Sequence, residues 1–258
     1  MGIALITGAS AGLGAEFAKL FTDDGHTVIL VARRLDRLNN IASALRMINA
    51  KTKVHVIEQN LAKPGAGAEL FAKVRLLGLP IDFLVNNAGF GTNGKFWEID
   101  LHKEMELIDL NMRSLVELTH LFLPQMIAQG SGKIMNVGSV AGFQPGPYMA
   151  NYFASKAYVN SFSEALSEEL RGTGVTCTVL APGATATEFA AVAGLEKSRL
   201  FTSGVASSLS VVREGYRGMM SGKTVVITGW MNQILVQALR ISPRSLVRKI
   251  AGFLNQAK

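Results

Sequence analysis

The chain of 258 residues is short of several things, and each shortage excludes a class of protein. Cys177 is its one cysteine, so no disulfide forms within the chain and a reducing, cytoplasmic compartment is expected. Charged residues make up 17% of the sequence against 48% hydrophobic ones, which excludes a disordered chain and calls for a large buried core. Aromatic residues, at 7%, leave little material for base stacking, and no basic block is interleaved with them, so the net charge of +7 is not read as nucleic-acid binding. His26, His55, His102 and His120 stand apart from one another and from Cys177 without metal-ligand spacing, so no metal site is expected. No basic leader precedes the first apolar run, which is too short for a signal peptide. The two uncharged stretches that come closest to a membrane span, 175–187 and 224–239, are both short of about 18 residues and are interrupted by Gly, Thr, Pro or Asn.

What the sequence does contain is a rhythm. Short aliphatic or β-branched runs recur at 3–7, 27–32, 53–58, 81–86, 133–138, 175–181 and 224–228. Between them lie segments with helical spacing: 13–24 places Phe17, Leu20 and Phe21 on one stripe, and 34–49 does the same with Leu38, Ile41, Leu45 and Ile48. Continuous apolar strands alternating with helices predict an α/β protein, a doubly wound parallel sheet of about seven strands with helices on both faces. No internal repeat, low-complexity tract or Pro-rich linker divides the chain, so a single Rossmann-like domain over 1–258 is expected, with a helical C-terminal tail at 230–258.

Directly after the first strand comes Thr7-Gly8-Ala9-Ser10-Ala11-Gly12-Leu13-Gly14, followed at once by a helical pattern. Glycines there let the backbone turn tightly and approach a pyrophosphate, which the free N–H groups of the helix start then hold. Dinucleotide binding is the expectation because this turn joins a strand to a helix at the start of a βαβ unit. In such folds an acidic residue at the end of the second strand binds the ribose of NAD. Here that strand ends Val31-Ala32-Arg33-Arg34, with no acid and two guanidinium groups able to hold a 2′-phosphate, so NADP(H) is favoured over NAD(H).

A second cluster falls at the ends of later strands: Asn86-Asn87-Ala88-Gly89, then Ser139, then Tyr152 and Lys156 four apart on one helix face. Together with Asn111 and Pro182-Gly183, the order and spacing of these residues resemble the short-chain dehydrogenase/reductase family, in its single-domain oxidoreductase branch. The resemblance implies a carbonyl–alcohol oxidoreductase. Tyr152 is then the acid/base, Lys156 a ligand of the nicotinamide ribose, Ser139 the donor to the substrate oxygen and Asn111 part of a water-mediated proton relay. A free phenol has a pKa near 10, so acting as a base near neutrality requires a fall of about 3 pH units, a task for the charge of Lys156 together with that of the oxidised nicotinamide. The resemblance also places Gly8, Ser10, Ala11, Gly12, Leu13, Gly14, Asn87, Ala88, Gly89, Pro182, Gly183, Thr185 and Thr187 around the cofactor. Asn60-Leu61 stands where the family usually has Asp-Leu against the adenine amino group. A mobile lid is implied at 184–205. A homodimer or homotetramer is implied through the helices around 101–129 and 149–172.

Phe90, Val140, Phe143, Tyr148, Met149 and Phe189 are expected to wall an apolar pocket, suited to a lipophilic ketone, aldehyde, steroid-like carbonyl or 3-oxoacyl group. The tail carries two amphipathic patterns broken by Pro243, with Arg240, Arg244, Arg248 and Lys249 among Ile234, Leu235, Leu246, Val247, Ile250, Phe253 and Leu254. Packing on the core or on another subunit is the favoured reading of the tail, and peripheral contact with a membrane the less favoured one. The competing view of the whole chain is a non-catalytic NADP-binding regulatory or scaffold protein, which has no need of the Ser139, Tyr152 and Lys156 set.

Overall fold

The computed structural model describes residues 1–49, 52–195, 198 and 204–256. The chain begins β1 (Ile3–Thr7), α1 (Gly12–Asp23), β2 (Thr27–Ala32), α2 (Leu35–Ile48), β3 (Val54–Glu58), α3 (Ala66–Leu76) and β4 (Phe83–Asn86). It continues with α4 (Leu101–Ile108), α5 (Ser114–Gln129), β5 (Gly132–Val137), α6 (Ala150–Glu169) and β6 (Val175–Ala181). A small excursion, β7 (Thr185–Ala186), α7 (Phe189–Val192) and β8 (Ala206–Ser207), precedes α8 (Ser208–Met220), β9 (Val225–Ile227), α9 (Trp230–Ile241) and α10 (Arg244–Asn255).

Seven strands form one sheet in the order β3-β2-β1-β4-β5-β6-β9, parallel at every junction. Alternate side chains of one strand feed two different cores, which is why the strands read as unbroken apolar runs. Ala4, Ile6, Val28 and Leu30 pack with Phe17 and Phe21 of α1, Leu38 of α2 and Val211 of α8. Leu5, Ile29 and Val31 point the other way, to Leu70 of α3, Phe122 of α5 and Leu166 of α6. Burying each of these side chains larger than alanine contributes roughly 1.5–3 kcal/mol.

The sheet order reverses between β1 and β4, leaving a crevice beyond the carboxyl ends of those strands. The helical pattern at 101–129 is not one helix. A π turn, Asp109–Arg113, separates α4 from α5, and the Ser114 N–H bonds the Asp109 carbonyl across it. This extra residue lets Asn111 aim its side chain back at the chain that leaves β4.

In the tail, α9 lies against the 3₁₀ turn Val140–Phe143, and α10 lies against Pro147 and Asn93. Of the tail residues expected to pack on the core, Val247 is buried, whereas Ile234, Leu235, Leu246, Ile250 and Phe253 face outward, and the buried positions include Val236 and Ala251 instead.

Candidate functional site

The crevice is a cleft of about 380 Å³ whose floor is the Gly-rich turn. Gly8 and Gly12 take φ values of 67° and 54°, where a side chain is strained. Gly14 does not line the cleft. It is required by close packing, since a Cβ there would lie 2.4 Å from the Gly8 carbonyl oxygen. Ser10, Ala11 and Leu13 line the cleft with Gly8 and Gly12, and α1 starts after Ala11 with no side-chain cap, so its first N–H groups are available to an anion.

A polar lock holds this turn against the end of β4. The Thr7 hydroxyl accepts from the N–H groups of Asn87 and Ala88, both at 3.0 Å, while the Asn87 amide donates to the Thr7 and Gly8 carbonyls at 2.9 and 3.3 Å. Asn87, Ala88 and Gly89 are thereby fixed on the cleft wall.

Ser139, Tyr152 and Lys156 meet on the same wall. The buried Ser139 hydroxyl donates to the Pro182 carbonyl at 3.3 Å and accepts from the Ala141 N–H at 3.1 Å. Lys156 is buried, donates from Nζ to the Val137 carbonyl at 2.7 Å and lies 5.9 Å from the centroid of the Tyr152 ring. Burial pulls its ammonium down to about 8. Burial also pushes the Tyr152 phenol up to about 12, against a hydrogen bond with Ser139 that works the other way. The requirement of a lowered phenol is therefore not met by the side chains alone. Lys156 is itself desolvated and directs an N–H at a carbonyl, so burial outweighs its charge.

Asn111 is buried behind this wall and does not line the cleft. Its amide donates to the Phe90 carbonyl and the Ser155 hydroxyl, each at 3.0 Å, and its oxygen accepts from the Phe90 N–H at 3.1 Å. It clamps the backbone that carries Gly89 and Phe90.

At the opposite end of the cleft, Arg33, Arg34, Asn60 and Leu61 form the rim. Arg34 donates to the Ser10 hydroxyl at 3.1 Å and to Glu188 at 2.9 Å, and Arg37 also pairs with Glu188. These two guanidinium groups hold the Glu188 carboxyl below the usual range. Arg37 and Glu188 were not legible as site residues. Arg37 sits one turn after Arg34 on α2, a spacing that points to the same rim, whereas nothing in the sequence pairs Glu188 with residues some 150 positions away. The Asn60 oxygen accepts from the Ala62 N–H at 3.1 Å and keeps a second lone pair.

The segment after β6 lies over the turn. Pro182, Gly183, Thr185 and Thr187 line the cleft, and the Thr187 side chain stands 3.1 Å from where a Cβ on Gly12 would be. Phe189 meets Tyr152 at a ring-centroid distance of 5.1 Å. Of the expected pocket wall, Phe90, Val140, Met149 and Phe189 line the cleft. Phe143 and Tyr148 do not. Phe143 lines a separate groove with Val225, Ile227 and Val236, on the side where α9 covers its 3₁₀ turn. Tyr148 has φ of 66°, the one positive value at a non-glycine position among the described residues, and its carbonyl accepts from Gly94 at 2.9 Å. This left-handed turn redirects the chain before α6, and the cleft position passes to Met149. Ala141, Gln144, Phe153, Val192 and Leu195 also line the wall, and no motif or spacing marks them.

A switch-point crevice that combines a Gly-rich turn with a Ser, Tyr and Lys set is the architecture of an oxidoreductase that uses a nicotinamide nucleotide. The family model for short chain dehydrogenases matches residues 2–197, and the chain belongs to that family. It is 38% identical over 192 residues to sulfoacetaldehyde reductase 2 of Chromohalobacter salexigens, covering 74% of this chain and 75% of the relative. Among solved structures, a short-chain dehydrogenase from Sphingobium yanoikuyae in complex with NADPH superposes with a TM-score of 0.85 at 32% identity, covering 95% of both chains. The bulky-bulky ketone specific alcohol dehydrogenase of Comamonas testosteroni gives a TM-score of 0.78 at 30% identity, with 93% of this chain and 92% of that one covered.

Proposed function

We propose that this oxidoreductase reduces apolar carbonyl compounds with NADPH, and oxidises the corresponding alcohols in reverse. The observation that carries the reading is the convergence of Ser139, Tyr152 and Lys156 on one wall of the cleft whose floor is the Gly-rich turn. The residues present fit a dinucleotide, because a Cβ on the glycines of the turn would obstruct it and the start of α1, which lines the cleft, carries no side-chain cap on its N–H groups. NADPH, when bound, supplies the hydride for the carbonyl carbon.

The chain's own groups do the rest. Ser139 holds the carbonyl oxygen, and Tyr152 delivers its hydroxyl proton to that oxygen as negative charge develops there. A phenol held near 12 is protonated throughout the neutral range, which suits reduction. Lys156 binds the ribose hydroxyls and presents its charge beneath the Tyr152 ring. Asn111 acts through the backbone of Phe90, whose position it fixes from both the N–H and the carbonyl. Arg34, with Arg33 and Arg37 beside it, supplies the cationic rim for a 2′-phosphate, and no acid closes β2 to favour the plain ribose of NAD. Of the expected lid, the stretch from Ala184 to Leu195 covers the cleft with Thr185, Thr187 and Phe189, and 196–197 and 199–203 lie outside the described residues. Phe90, Met149, Phe153 and Phe189 make the substrate end of the cleft apolar.

The test is NADPH oxidation, followed by absorbance, over carbonyls graded in chain length and ring content, with NADH in parallel. Turnover with NADPH on apolar carbonyls is expected. Tight NADPH binding without turnover on any of them would leave a regulatory nucleotide-binding protein instead.

A further inference from the structure

We propose that α9 and α10 seat the protein on an anionic lipid surface, next to the mouth of the cleft. The proposal is independent of which carbonyl is reduced. On α9, Trp230, Ile234, Ala238 and Ile241 follow one another at helical spacing with Met231 and Leu235 alongside, and all six are exposed, Trp230 by 70% and Ile241 by 88%. The inward side of that helix is a different strip, formed by Val236, Asn232 and Leu239. On α10, Leu246 and Ile250 are each 51% exposed, while Val247 and Ala251 are buried against the body of the protein. Two amphipathic helices thus each keep a second apolar strip that none of the described residues covers.

Charge decides between occupants. From Trp230 to the end of the sequence there is no Asp or Glu, whereas Arg240, Arg244, Arg248 and Lys249 are all exposed beside the apolar strips. A second copy placed face to face would bring these cations together without a counter-charge, at a cost in repulsion. Anionic headgroups complement them, and the acyl boundary takes the apolar side chains. Interfacial helices have this composition, with Trp at the boundary and cations on the flank. No helix among the described residues is long and apolar enough to cross a membrane, so the surface would hold the protein peripherally.

The position relative to the cleft is specific. Asn255 of α10 accepts from the Asn93 amide at 2.9 Å and donates to the Pro147 carbonyl at 3.1 Å. Asn232 of α9 stands 2.6 Å from where a Cβ on Gly183 would be, and Gly183 lines the cleft. The two helices thus flank the cleft wall at Gly183 and the turn that precedes Met149, and docking through their outward strips would hold that side of the protein against the lipid, where an apolar carbonyl would partition.

The full chain carrying Trp97→Phe leaves Trp230 as the single tryptophan reporter. Its emission should shift to the blue on vesicles containing phosphatidylglycerol, and not on phosphatidylcholine alone. Co-sedimentation with the anionic vesicles should fall at least about tenfold in Arg244→Glu with Arg248→Glu, and similarly in Ile234→Ser with Ile250→Ser. Turnover of a water-soluble carbonyl by both variants reports that they are folded. No sedimentation with anionic vesicles overturns the proposal, as does binding that the Ile234→Ser, Ile250→Ser variant retains. Concentration-dependent dimerisation lost in the same variants, without vesicle binding, assigns the face to a second copy and also overturns it.

Discussion

Replacing Lys156 by Met should make the protein more stable and leave it inactive. Lys156 is only 7% exposed, and burial lowers its ammonium from 10.5 to about 8. That fall corresponds to about 3 kcal/mol by which the charged form at pH 7 opposes folding. Met fills a similar volume without charge, and depriving the Val137 carbonyl of its donor costs about 1 kcal/mol, so a net gain of about 2 kcal/mol is expected. For a chain of this size that raises Tm by roughly 4 to 8 °C. The effect has a pH signature. Between about pH 8 and 10.5 the unfolded chain holds the Lys156 proton and the folded protein has released it, so wild-type stability gains on the variant as pH rises. Denaturant unfolding of both proteins without added nucleotide, from pH 7 to 11, measures the difference directly. A variant less stable at pH 7, or a difference that stays constant over that range, would refute the reasoning.

Three further variants test other parts of the site. Arg34→Ala with Arg37→Ala should weaken NADPH at least about tenfold and NADH hardly at all, while Glu188→Gln, which frees both guanidinium groups, should tighten NADPH by about two- to fivefold because exposed pairs are weak. Titration of protein fluorescence with each nucleotide checks both, and equal losses for NADPH and NADH would overturn the cofactor assignment. Gly91→Ala would bring a methyl group 2.9 Å from the Phe189 ring and 3.2 Å from that of Tyr152, so kcat on a bulky ketone should fall by at least about tenfold with the fold intact. Unchanged kinetics would show that those rings yield.

The sheet was legible because parallel strands buried on both faces cannot hide their runs: the seven segments read from the sequence correspond to β1 to β6 and β9, with small shifts at their ends. Gly8, Gly12, Ser139, Tyr152 and Lys156 were legible because their chemistry fixes residue type and local spacing together. Three things were not. The π turn at Asp109–Arg113 adds one residue to a helix without changing its apolar rhythm, and Asn111 within it gave the one hint. Tyr148 and Phe143 were misplaced because a positive φ at Tyr148 and the cover of α9 over Phe143 are decided by contacts distant in sequence. The pairing of Glu188 with Arg34 and Arg37 is of the same kind, formed only when the segment after β6 folds back over α1.

The central claim is that Tyr152 supplies the proton, and a single turnover of Tyr152→Phe with saturating NADPH and a reactive apolar ketone tests it most directly. The ring and its packing on Phe189 remain and only the hydroxyl is lost, so NADPH should bind as in the wild type while the rate of its oxidation falls at least about 100-fold. Oxidation at the wild-type rate would remove Tyr152 from the reaction.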